Sequence, residues 1–144
     1  SDFIRVRTLK VLKTMPLYQK IEKKEFMLLN DNEIVEEERL LISHLEGMTS
    51  TFFSDHVLNL LEEVEGKLPE EKEKMLKCID RYLALSKKEK DNFRLGRRAG
   101  LYHSVEYFYK PELRNQVERV LLQIETERPG GFEKVLSDLM ESFI

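Results

Sequence analysis

Tryptophan is absent from this chain, cysteine occurs once, and proline occurs only four times in 144 residues. The single cysteine, Cys78, cannot form an internal disulfide, which excludes a small disulfide-stapled fold and suits a reducing compartment. No apolar run approaches the roughly 20 residues that a membrane-spanning helix needs. The N-terminus also lacks the apolar core and the small-residue cleavage site of a secretory signal. These absences together predict a cytoplasmic protein without a membrane span.

The residues that are present have the balance of a soluble globular domain. Hydrophobic residues make up 41% of the chain and charged residues 35%, which favours a packed core over disorder. A chain of 144 residues is most simply one domain, large enough to bury a core without disulfides. We therefore interpret residues 1–144 as a single helical domain. Its first residue is Ser rather than Met, which leaves open that it is excised from a longer protein.

Helix start and stop signals recur along the chain, whereas strand signals are scarce. Ser86 stands three residues before Glu89, which is the spacing of a capping box. Pro69 and Pro111 suit the first turn of helices, since a proline there loses no helical hydrogen bond. The turn at residues 129–131, Pro-Gly-Gly, separates the helix that follows Pro111 from a last helix.

Apolar residues recur at helical spacing after most of these signals. We also predict one helix after Asn32, ended by Gly47, and another after residues 49–51, ended by Gly66. Short connections favour antiparallel neighbours, so the predicted fold class is all-α, an antiparallel helical bundle of about six to seven helices. The expected core consists of Leu41, Leu45, Val57, Leu61, Ile79, Leu83, Val117, Leu121, Val135 and Leu139.

Two segments resist this interpretation. Residues 3–12 alternate like a strand at Ile4 and Val6 and then lose the alternation. We interpret them as a helix that ends near Pro16, because the rest of the chain offers no clear strand to pair with. Residues 25–31 are a short apolar run closed by turn residues, and their length fits an edge strand, a buried loop or one helical turn.

The net charge of −3 conceals blocks of opposite sign. Residues 29–73 hold three basic and thirteen acidic residues, whereas residues 74–98 hold nine basic and three acidic ones. Three interpretations stay open: solvated helix faces, internal pairing between the blocks, and a surface for an anionic partner. The binding interpretation takes as its residues the cations concentrated between positions 87 and 98, namely Lys87, Lys88, Lys90, Arg94, Arg97 and Arg98.

One catalytic pattern lies at the end of this basic cluster. Arg98 and His103 stand in the order Arg-x-x-x-x-His, close to Tyr102 and Tyr107. The pattern resembles the short motif of the HEPN ribonucleases, small helical domains that typically work as dimers. The resemblance implies that His103 would exchange a proton and Arg98 would stabilise a phosphorane-like charge, without a metal. Ala99 departs from the motif, since many members of that family place a polar residue after the arginine.

Other functional classes have less support in the sequence. The cluster at residues 87–98 is an alternative site for nucleic acid or phosphate, because neutralised phosphates release counterions. The acidic overall balance argues against a dedicated nucleic-acid binder. Phosphate-loop, zinc-ligand and nucleophile-elbow patterns are all missing, so we expect no cofactor and no metal.

The sequence therefore favours a non-catalytic interaction or regulatory domain that docks another protein through charged surfaces. The metal-independent ribonuclease is the catalytic alternative, and the nucleic-acid or phosphate-binding domain is the third. A homodimer stays open under each of these interpretations.

Overall fold

The computed structural model describes residues 3–8, 14–24, 29–47, 49–56 and 58–142. Within these ranges the chain is mostly helical, with six α-helices, one 3-10 helix and one three-stranded sheet. None of these helices is long and apolar enough to cross a membrane. In chain order the elements are β1 (Phe3–Arg5), α1 (Pro16–Glu22), α2 (Asp31–His44), β2 (Thr51–Phe53), β3 (Glu65–Lys67), α3 (Lys72–Leu83), α4 (Lys87–Arg98), the 3-10 helix (Val105–Tyr109), α5 (Pro111–Glu127) and α6 (Phe132–Glu141).

The three-stranded sheet corrects the all-α expectation. β2 lies between β1, which is parallel to it, and β3, which is antiparallel to it. Ile4, Phe52 and Gly66 are in register across the sheet. The helix predicted for residues 3–12 is therefore wrong where the structure describes it, because residues 3–5 form β1. The partner strand is distant in sequence, and local periodicity carries no information about such pairing.

The helix predicted after residues 49–51 is also wrong. Phe52 is fully buried at the centre of the sheet, and residues 58–64 form an irregular loop between β2 and β3. The apolar residues of this loop, Leu60, Leu61 and Val64, are buried in the core. Burial of Leu61 thus agrees with the prediction, although a loop rather than a helix brings it inside.

The helix starts were predicted more accurately than the strands. The Ser86 hydroxyl accepts a hydrogen bond from the Glu89 N–H at 3.2 Å, and the Glu89 carboxylate accepts one from the Ser86 N–H at 2.9 Å. This reciprocal pair confirms the predicted capping box. Pro111 opens α5 as predicted. α2 begins two residues earlier than expected, because its cap is Asn30, which forms a second capping box with Glu33.

A row of aromatic rings runs through the centre of the core. Tyr82 packs against Phe93 with ring centroids 5.4 Å apart, and Phe93 stacks on Tyr102 at 5.7 Å. The Phe108 ring meets Tyr102 edge-on at 6.5 Å. The row joins α3, α4 and the 3-10 helix, and all four rings are fully buried. In a chain without tryptophan, these rings are among the largest side chains that folding removes from water.

The predicted core residues fall into three groups among the described residues. The prediction that Leu41 belongs to the core is wrong, since its side chain is 43% exposed. The buried side of α2 runs along Val35 and Ile42, and Leu41 lies beside it. Val57 and parts of the two uncertain segments, residues 9–12 and 25–28, lie outside the described residues. Leu61, Ile79 and Val117 are buried, whereas Leu45, Leu83, Leu121, Val135 and Leu139 are half-buried.

Gly96 lets the Tyr102 ring lie directly against α4. A Cβ atom at position 96 would overlap that ring. The ring has little room to retreat, because it stacks on Phe93 and its hydroxyl donates a hydrogen bond of 2.6 Å to Asn92. The N–H groups of Leu101 and Tyr102 both donate to the Gly96 carbonyl and hold the chain reversal in place.

We predict that Gly96→Ala lowers the stability of the fold. Inside an ordinary helix this change adds up to about 1 kcal/mol of stability, but overpacking against Tyr102 costs about 1–3 kcal/mol or more. Urea unfolding followed by circular dichroism measures the difference. The control is Gly47→Ala, where φ is +69° and, apart from the adjacent residues, no atom of the described part of the chain lies within 4 Å of the new Cβ, so only a backbone cost of about 1 kcal/mol is expected. A Gly96→Ala variant more stable than the wild type would contradict this packing.

Candidate functional site

The predicted basic cluster does not form one open surface. Helix α4 places Lys87 and Lys88 in solvent and leaves Lys90 half-buried. The three arginines turn inward, with exposed fractions of 4% for Arg94, 5% for Arg97 and 2% for Arg98. Since buried guanidinium groups need partners, the acidic residues around them decide what these arginines do.

The Asp31 carboxylate bridges two of the arginines. Its Oδ2 accepts a hydrogen bond of 2.9 Å from Arg94 Nε, and its Oδ1 accepts one of 2.9 Å from Arg98 Nη2. Arg94 also donates to both oxygens of Glu133 at 2.7 and 2.8 Å. Burial alone would raise the pKa of Asp31, but the guanidinium groups of Arg98 and Arg94 outweigh it and hold that pKa below its usual range.

The loop that precedes β3 accepts further hydrogen bonds from Arg97 and Arg98. Arg98 Nη1 donates to the Leu58 carbonyl at 2.8 Å. Arg97 Nη2 donates to the Asn59 carbonyl at 3.0 Å and to the Glu62 carboxylate at 3.2 Å. These bonds tie α4 to residues 58–62. The three arginines therefore pair internally, as one of the open interpretations expected, and of the predicted binding residues the three lysines are the ones that remain accessible.

The Arg98 and His103 pair of the ribonuclease pattern is not assembled within the chain. The Arg98 guanidinium is committed to Asp31 and Leu58. His103 is mostly exposed, with Nδ1 3.8 Å from the Glu62 carboxylate and its ring edge-on to Tyr107. No hydrogen bond joins Arg98 to His103 among the described contacts. For Arg98 to reach a phosphate, it would have to leave a buried carboxylate.

Two half-buried glutamates form a polar cluster that the sequence interpretation missed. Burial raises the pKa of Glu38 to about 7, and the nearby Glu63 carboxylate adds to the rise. Burial also raises the pKa of Glu63, although its Oε2 accepts a 2.7 Å hydrogen bond from the Val105 N–H. Within the described residues, the Oε1 atoms of both glutamates are buried without a hydrogen-bond partner. Helical spacing from Val35 does place Glu38 on the inner side of α2, so the periodicity contained a usable signal.

A cleft of about 710 Å³ opens beside this cluster. Glu63 and Cys78 line it together with Lys74, Lys77 and Arg81. Burial raises the pKa of Cys78 to about 12, so its thiol stays protonated and is a poor nucleophile near neutral pH. The described residues contain no group of three or more His, Cys, Asp or Glu side chains suited to a metal ion. The cluster can exchange a proton through Glu38 but supplies no activated nucleophile.

A second groove, which we call the α5 groove, lies where α4, α5 and α6 meet. It has a volume of about 210 Å³, and all its lining residues fall in the continuous described range 58–142. The apolar part of the lining consists of Leu121, Leu122, Ile124 and Phe132, and the charged part consists of Lys87, Lys88, Asp91, Glu118 and Glu125. Leu122 is 61% exposed. The groove thus combines two of the predicted binding lysines with apolar surface left open to water.

Comparison with known proteins identifies no relative of this chain. No protein-family model, no curated protein and no solved structure matches this chain. The resemblance to the HEPN motif accordingly depends on Arg98 and His103 alone.

We predict that Asp31→Asn destabilises the fold by about 3–5 kcal/mol, because it removes the carboxylate that pairs with the buried Arg98 guanidinium and leaves Arg94 without one of its carboxylate partners. Chemical denaturation gives the free energy of unfolding. Asp80→Asn is the matched control, since Asp80 accepts from Arg39 at 2.6 Å in a pair that is nearly half exposed. Exposed pairs contribute about 0–1 kcal/mol, so equal losses in the two variants would contradict the central role of Asp31.

We further predict that Glu38 makes the fold less stable as the pH rises. Its pKa is about 7 in the folded chain and about 4.3 in the unfolded chain. Between these pH values the folded state therefore holds a proton on Glu38 that the unfolded state has lost. Stability should fall across this window, and Glu38→Gln should remove about 2 kcal/mol of the change between pH 5 and pH 8. Urea unfolding at several pH values tests this. Glu36→Gln, on the exposed side of α2, is the control, and an identical pH profile for wild type and Glu38→Gln would disprove the assignment.

Proposed function

We propose that this chain is a non-catalytic protein-interaction domain whose docking surface is the α5 groove. The observation that carries the proposal is the incomplete burial of α5. This helix has six apolar residues after Pro111, and of these only Val117 is buried. Of the residues that line the groove, Leu122 is exposed and Leu121 and Ile124 are half-buried. Apolar surface that is left open to water in this way, beside charged residues, is typical of a protein-binding surface.

The accessible part of the predicted basic cluster supports the same surface. Lys87 and Lys88 stand at the border of the α5 groove, where they can meet polar groups of a partner while the leucines meet its apolar side chains. Charged residues at such a border steer association and set orientation, whereas the buried apolar contacts provide most of the affinity. A helical segment with apolar residues three and four positions apart fits a groove between helices.

The alternatives receive less support from the geometry. The ribonuclease interpretation needs Arg98, which is buried against Asp31. The nucleic-acid interpretation loses three of its six cations to the interior, and Lys87 is paired with Asp91 at 3.3 Å. The proposal includes a cytoplasmic location, for which the single cysteine Cys78 is the support.

The test uses a display library of helical peptides on the order of 15 residues long, about four helical turns. The library fixes apolar residues at helical spacing, randomises the other positions and is selected against the whole chain. Selected peptides should bind the wild type and lose at least about tenfold in affinity, or 1.4 kcal/mol, for Leu122→Asp. Fluorescence anisotropy measures the dissociation constants.

The control is Gln123→Asp, which adds the same charge to the neighbouring, exposed position of α5. We expect it to leave peptide affinity unchanged, and circular dichroism should show the same helicity in both variants. If the monomeric chain selects no peptide, or if Leu122→Asp leaves the affinity of every selected peptide intact, the proposal is wrong.

A further inference from the structure

The charges that line the α5 groove restrict what can occupy it. Two of its anions are already engaged: Asp91 pairs with Lys87 at 3.3 Å, and Glu118 accepts a 2.8 Å hydrogen bond from Asn92. Lys88 and Glu125 differ, since neither makes an ion pair or hydrogen bond with another described residue. The groove therefore presents one uncommitted cation and one uncommitted anion beside the same apolar strip.

This pair of opposite charges disfavours a partner of one sign. An acidic segment would meet Glu125 and a basic segment would meet Lys88, so either would bring like charges together in the groove. The fitting partner carries an apolar strip with one anion and one cation in the reversed order. A second copy of this chain, related by a two-fold axis, presents this arrangement without any further requirement, because a two-fold interface places each patch against itself.

We propose that the α5 groove is the interface of a symmetric homodimer. This inference rests on the function proposed above and names its partner as a second copy of the chain. In the dimer, Lys88 of each copy meets Glu125 of the other, and the exposed side of α5 around Leu122 covers its counterpart. The apolar contacts provide the main driving force, and the two charge pairs fix the antiparallel orientation.

The proposal is tested by sedimentation equilibrium of the full chain over a wide range of concentration. The wild type should show a reversible monomer–dimer equilibrium. Lys88→Glu and Glu125→Lys should each weaken it at least about tenfold in dissociation constant, because each places like charges opposite one another twice. Leu122→Asp should give a monomer. Lys134→Glu, an equal charge reversal at an exposed position of α6 outside the groove, should leave the equilibrium unchanged.

The decisive measurement is an equimolar mixture of Lys88→Glu and Glu125→Lys. In the mixed dimer the glutamate introduced in one copy would face the lysine introduced in the other, and the native Lys88 would face the native Glu125. The mixture should therefore recover the wild-type dissociation constant. An effect confined to one chain cannot produce this recovery. Weak association in the mixture overturns the proposal, and so does a wild-type dimer that is insensitive to Leu122→Asp.

The two proposals can fail separately. A wild type that stays monomeric, while selected helical peptides still bind in a Leu122-dependent manner, overturns the homodimer and leaves the proposed docking function standing. A monomer that also selects no such peptide overturns both.

Discussion

The Asp31 carboxylate, held between Arg94 and Arg98, is the interaction on which the rest of the arrangement depends. Each of its oxygens accepts a 2.9 Å hydrogen bond from a buried guanidinium. Buried charges are tolerated only with close partners, because unpaired ones carry the full cost of lost hydration. The bridge holds the start of α2 against α4, and Glu133 and the Leu58 carbonyl extend it to α6 and to the loop before β3.

This network also decides which part of the chain is available for binding. Together with the burial of Arg97, it withdraws three cations of the basic block from the surface. The lysines at the start of α4 remain outside, next to an α5 helix that buries only Val117. The arginines in the second half of α4 face the core, whereas the first turn of the same helix borders the α5 groove. The internal network and the proposed docking surface thus occupy opposite ends of one helix.

The second polar cluster, formed by Glu38 and Glu63, has the opposite effect on the ionisation of its carboxyl groups. Asp31 has two cationic partners and a lowered pKa, whereas Glu38 and Glu63 lie near each other and both have raised pKa values. The first cluster stabilises the ionised form and the second favours the protonated one. One small core therefore contains an ion-pair network that loses its stabilising effect only in acid, below the ordinary pKa of Asp31, and a carboxylate cluster that weakens the fold as the pH rises towards 7.

The sequence by itself determined the features that depend on neighbouring residues. The capping box of Ser86 and the start of α5 at Pro111 were predictable, because cap contacts span only a few positions. Strand β1 and the inward direction of Arg94 were not, since their partners are β2 and an aspartate 63 residues away. The stripe of α5 was predictable too, but only the packing of α4 and α6 decided that Leu122 stays uncovered. Such choices depend on which segments meet in space, and only the tertiary structure contains that information.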